Sequence, residues 1–65
     1  MNRKKIGELL LALRGTKTQR EVATALGISD AAVRQYESGN RVPKDEIKIV
    51  IAEYYGKTVQ DIFFD

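Results

Sequence analysis

The side chains of this chain that could do chemistry are those that hydrogen-bond or carry charge, because it has no His and no Cys. A thiolate nucleophile, an imidazole base, a disulfide and nearly every zinc site are thereby excluded. What remains is densest between Ser29 and Ser38. There Asp30, Ala31, Arg34, Gln35 and Ser38 recur one helical turn apart, with Val33 and Tyr36 between them. On a helix that spacing makes an outer face of small or polar side chains over an apolar underside. Such a face is what a helix needs to lie in a groove about 12 Å wide. The chemistry on offer is recognition, with no bond made or broken, and the chain is not read as an enzyme.

That helix needs elements to hold it. Ser29 is an N-cap candidate, Asp30 suits the positive end of the helix dipole, and Gly39 closes the helix. Upstream, Thr18-Gln19-Arg20-Glu21 reads as a capping box that opens a helix carrying Val22, Ala23 and Leu26 inward. Each of these helices is only about two turns long and must be held by packing. Joined by Gly27-Ile28-Ser29, they read as a helix-turn-helix over about residues 18–37. Ala23 is small where the second helix crosses, and Gly27 can take the left-handed backbone that reverses the chain. Val22, Leu26, Ile28 and Val33 would lock the crossing.

Around this motif lie three more helical patterns. Ile6, Leu9, Leu10 and Leu13 form one stripe, ended by Gly15. Pro43 is expected in the first turn of a fourth helix, with Asp45 and Glu46 beside it and Gly56 after it. Thr58 and Asp61 repeat the capping logic for a last short helix with Ile62, Phe63 and Phe64. Nothing alternates with period two. The expected fold is all-α, one compact five-helix domain spanning residues 1–65. A chain this short buries only about 60% of its unfolded surface, so the core is small.

The net charge of +2 is unevenly spread. Residues 1–20 carry +5, residues 21–44 balance, and residues 45–65 carry −3. A basic first third and an acidic last third suit a protein with one end toward a polyanion. Met-Asn-Arg-Lys-Lys before a leucine cluster imitates a secretory signal, but Glu8 interrupts the apolar stretch and no small-residue cleavage site follows. A cytoplasmic, nucleoid-associated protein without a membrane partner is expected.

The run TQREVATALGISDAAVRQYESGNRVP, followed by a helix, a glycine and TVQDIF, resembles the phage repressor/Cro (XRE-like) family of helix-turn-helix regulators. The resemblance covers residues 6–63 and rests on the ordered set Gln19, Ala23, Gly27, Val33, Glu37, Gly39 and Pro43. It implies the lambda-repressor-like fold and a sequence-specific transcriptional regulator of double-stranded DNA, a repressor without cofactor, metal or small-molecule ligand. It also implies roles. Ser29, Asp30, Ala31, Arg34 and Gln35 would meet base edges. Lys17, Thr18, Gln19, Arg20, Ser38, Asn40, Arg41 and Lys44 would hold the DNA backbone, Gln19 on a phosphate. Glu37 would be structural. Each has a plainer alternative: Ser29 a cap, Asp30 a dipole partner, Arg34 an ion pair with Asp30.

Two departures from the family pattern stand out. The loop between Arg14 and Thr18 is short, so the first helix ends early or the turn is tighter, and either Arg14 or Lys17 faces a phosphate. Asp30 stands where many members have a neutral Gln or Ser. A carboxylate near phosphates is unfavourable unless it accepts from a cytosine amino group or is neutralised by Arg34.

Family members commonly bind as two-fold dimers. The fourth helix is apolar nearly all round, and a monomer is expected to bury Ile47, Ile51, Ala52 and Tyr55. Ile49, Val50 and Tyr54, with Phe63 or Phe64, are then surplus and would form a homodimer interface within residues 43–65. The competing reading is a protein-interaction module, an antitoxin-like or anti-repressor component.

Overall fold

A computed structural model of the protein describes residues 2–64. Five helices follow in order: α1 (Arg3–Arg14), α2 (Gln19–Leu26), α3 (Asp30–Ser38), α4 (Asp45–Tyr55) and α5 (Val59–Phe63). No strand occurs among the described residues. The starts of α2, α3 and α5 obey the local chemistry expected of them. The Thr18 hydroxyl accepts from the Glu21 amide at 3.0 Å while the Glu21 carboxylate accepts from the Thr18 amide at 3.1 Å. Thr58 and Asp61 make the same reciprocal box on α5. Ser29 caps α3 by accepting from the Ala32 amide. Pro43 departs from expectation. It is buried just outside α4 because Lys44, in extended backbone, takes the N-cap position.

The core has two connected parts. Val22, Ala23 and Val33 seal α2 against α3, with Leu26, Ile28, Tyr54 and Tyr55 packed around them. Ile6, Leu10, Tyr36, Ile51, Ala52, Ile62 and Phe63 form the larger part, drawn from all helices except α2. The turn between α2 and α3 reverses at Gly27, whose φ of 72° and ψ of 31° lie in the left-handed region. The radius of gyration, 10.3 Å, matches the value of about 10.7 Å expected for a single packed body of this length.

Gly7 has no counterpart in the sequence reading. A Cβ built on it would lie 2.4 Å from the Glu37 carbonyl oxygen and 2.8 Å from that of Tyr36. The backbones of α1 and α3 therefore touch, and only the smallest residue permits the approach. Helix α1 consequently turns Ile6, Gly7 and Leu10 inward and leaves Leu9 at 37% exposure, so the expected stripe is rotated.

Two expectations for the C-terminal helices are corrected, and the burial of one lysine is added. Phe63 is only 1% exposed and fills the monomer core, so it is not surplus surface; Phe64, at 47%, is the exposed one of the pair. Tyr54 is half-buried, packing on the cluster between α2 and α3 and standing edge-on to Tyr55 with centroids 5.0 Å apart. Lys48 is buried, its ammonium 3.5 Å from Asp45 and 5.7 and 5.3 Å from the rings of Phe63 and Phe64. The aliphatic stem accounts for that burial: it packs as an apolar side chain while the head keeps a charged partner and two aromatic faces. Ile49 and Val50 remain on the surface at 53% and 38%.

Candidate nucleic-acid interface

The outer face of α3 follows from what its inner face buries. With Val33 and Tyr36 turned into the core, Asp30, Ala31, Arg34 and Ser38 are exposed and Gln35 half-exposed. The Asp30 carboxylate meets Arg20, across from α2, at 4.0 Å. Among the described residues Arg34 makes no ion pair, so the alternative of a pair within α3 gives way to one between helices. The distance and the exposure of both groups make that pair weak in water. The Ser29 hydroxyl accepts its capping bond and keeps its own proton to donate. Ser38 donates to the Gln35 carbonyl at 3.1 Å, which leaves its hydroxyl oxygen free to accept.

A buried polar network connects this face to the rest of the molecule. Glu37, its side chain 6% exposed, accepts from Arg14 Nε at 2.8 Å and from Gln19 Nε2 at 3.0 Å. A carboxylate can only accept, so the amide nitrogen of Gln19 must be the atom that faces it. Three helices are thereby joined at one acid: α1 through Arg14, α2 through Gln19 and α3 through Glu37. Arg14 also donates to the Lys17 carbonyl, closing the short loop. Its guanidinium is thus occupied inside the fold, and Lys17 is the basic side chain of this loop left on the surface. Gln19 keeps a second amide hydrogen, at the start of α2. Among the described residues no buried side-chain polar atom lacks a partner.

The backbone candidates lie at the ends of these helices. Thr18 and Gln19 start α2, with Arg20 exposed beside them. Lys17 extends its ammonium over Tyr54, 5.3 Å from the ring centroid. Asn40, Arg41 and Lys44 are exposed in the segment between α3 and α4. The Arg41 guanidinium stands 5.9 Å from the centre of the Tyr36 ring, a cation–π contact that anchors it near the C-terminus of α3.

Arg3 escaped sequence reasoning. Its guanidinium donates to the Asn40 carbonyl at 3.4 Å, and a Cβ on Gly39 would lie 3.0 Å from the Lys4 Cα. The basic N-terminus of α1 therefore meets the turn that follows α3, adding positive charge beside Arg41. No local signal announces a contact across 37 positions. It follows from the α1–α3 approach at Gly7.

No group of His, Cys, Asp and Glu able to hold a metal ion occurs among the described residues. Burial pushes the Tyr55 hydroxyl up to about 12, with Glu37 and Tyr54 adding to the effect. That tyrosine packs against both parts of the core. No described helix is long and apolar enough to cross a membrane.

Comparison with known proteins agrees with this architecture. No curated protein and no solved structure matches the chain. A family model described as helix-turn-helix matches residues 10–62, from the middle of α1 to α5, and so takes in the α2–α3 pair and the Arg14–Glu37–Gln19 network. The chain belongs to the helix-turn-helix family of DNA-binding regulators of the phage repressor/Cro type.

Proposed function

We propose that this protein is a transcriptional repressor that reads a pseudo-palindromic operator as a homodimer. The observation that carries the reading is the outer face of α3, a row of small and polar side chains with Arg34, which has no ion pair among the described residues, at its middle. This face enters the major groove. Ser29, Asp30, Ala31, Arg34 and Gln35 meet base edges there, while Lys17, Thr18, Gln19, Arg20, Ser38, Asn40, Arg41 and Lys44 hold the backbone. The described part of the chain acts as one DNA-binding unit, and repression works by occupancy of a site that overlaps a promoter.

One α3 reads too few base pairs for a useful site, and two copies one helical turn apart solve that problem. Ile49, Val50 and Phe64 support an interface through residues 43–65, because they are large, apolar and exposed in a chain of 65 residues. Titration of operator-length duplex DNA at several salt concentrations tests the proposal. Binding through phosphates predicts a log–log slope of about −0.9 for each phosphate neutralised. Absence of affinity even at low salt would refute it and leave the protein-interaction module as the reading.

A further inference from the structure

Asp30 is the one acidic side chain on the face assigned to DNA, and a carboxylate is an acceptor with nothing to donate. Phosphates repel it, as do the N7 and O6 atoms of guanine and the O4 of thymine. Only the amino groups of cytosine and adenine can be its partners in the major groove. These two differ in their neighbours. The adenine amino group lies between its own N7 and the O4 of the paired thymine, both acceptors. The cytosine amino group has an acceptor on one side only, the O6 of its guanine, and an apolar C–H on the other. The second carboxylate oxygen meets a lone pair beside adenine and a C–H beside cytosine.

What allows a carboxylate to stand there at all is Arg20. Its Nε lies 4.0 Å from Asp30 Oδ2, with the side chains 84% and 53% exposed. The pair is loose in water, but it tightens where the groove thins the solvent and lowers the dielectric response. Arg20 comes from α2 and Asp30 from the first turn of α3, so the pair is set by the crossing of the two helices. Arg34 is left out of it and free for a second base pair.

We infer that Asp30, positioned by Arg20, selects a cytosine at one position of each half-site. This rests on the DNA-reading proposal and deepens it. The selection operates by exclusion as much as by attraction, since three of the four bases place an acceptor against one or both carboxylate oxygens.

Enrichment of bound sequences from random duplex DNA, run with wild type, Asp30→Asn, Arg20→Ala and Arg20→Lys, tests it. Asn adds a donor and pairs with the N6 and N7 of adenine. Asp30→Asn should therefore move one half-site position from cytosine toward adenine and leave the others unchanged. Measured on duplexes with cytosine or adenine at that position, wild type should favour cytosine ~5- to 150-fold, and the variant should reverse the preference. Arg20→Ala should weaken binding to every sequence, since Arg20 also holds the backbone, but relax the base preference at the same position alone, and Arg20→Lys should restore much of the preference. Both sites are exposed, so the folded helical signal should be unchanged. If Asp30→Asn enriches the wild-type sequence at every position, or tightens binding to all sequences equally, the inference is overturned. Failure of wild type to enrich any sequence removes the DNA-reading proposal and this inference with it. The two failures are distinguished by whether wild type enriches a site.

Discussion

Replacing Gly7 with Ala separates the two things glycine does in this fold. In an exposed helix the change stabilises, by about 1 kcal/mol, because Ala restricts the unfolded chain and suits the helix. Here the added methyl would stand 2.4 Å from the Glu37 carbonyl oxygen, 2.8 Å from that of Tyr36 and 2.9 Å from the Glu37 carbonyl carbon. All three are backbone atoms of α3, so no rotamer change relieves them, and α1 must move away by about 1 Å to restore contact distances. A gap of that size forfeits a quarter to a half of each dispersion contact it opens, and Ile6 and Leu10 lose contact with Tyr36 together. Because the opposing atoms are backbone and cannot step aside as side chains can, this overpacking falls in the upper part of the usual range, about 2–3 kcal/mol. Against the propensity gain, the net expectation is a loss of about 1–2 kcal/mol, or roughly 4–16 °C in Tm for a domain of this size. Thermal and urea unfolding followed by the helical circular dichroism signal measures it. A Gly7→Ala protein as stable as wild type, or more so, would refute the close approach of α1 and α3.

Four further outcomes are expected. Glu37→Gln removes the acid that holds Arg14 and Gln19; it should cost about 3 kcal/mol in urea unfolding, the low end for breaking a buried pair, because Arg14 keeps 17% exposure. The folded protein holds the Tyr55 proton up to about 12 whereas the unfolded chain releases it near 10, so stability should fall as pH rises through that window. Tyr55→Phe should flatten this fall, and an unchanged pH profile would show that another group causes it. Ile49→Glu, placed on a surface position 53% exposed, should convert a sedimenting dimer to monomer with little change in Tm. An unaffected dimer would locate the interface away from α4. Gln35→Ala should lose about 1–3 kcal/mol on the enriched site and little on random DNA, and equal losses on both would remove Gln35 from the base-reading set.

Much of the molecule was legible in local patterns. Thr18 and Glu21, Ser29, Gly27 and Gly39 announce the limits of α2 and α3 because caps and reversals depend on residues three or four apart. The inward set of Val22, Ala23, Val33 and Tyr36 follows from helical periodicity, and that set dictates the outward face of α3. Identity within the family was likewise written in the order of a few residues along the chain.

The positions that resisted reading depend on how helices approach one another. Periodicity makes Leu9 part of the buried stripe of α1, but the contact at Gly7 rotates that helix until Leu9 is exposed. Phe63 and Phe64 are adjacent and chemically identical; α5 docks so that one fills the core and the other meets solvent. Lys48 is buried with its ammonium over two aromatic rings contributed from beyond the next turn. Glu37 meets Arg14 and Gln19 across 23 and 18 positions, and Asp30 pairs with Arg20 instead of with Arg34 one turn away. Local sequence determined which segments become helices and which faces turn inward, because capping and periodicity act within a few residues. Tertiary structure decided the rotation of each helix and the partner of each charge, because those are set by the closest distance at which two backbones can meet.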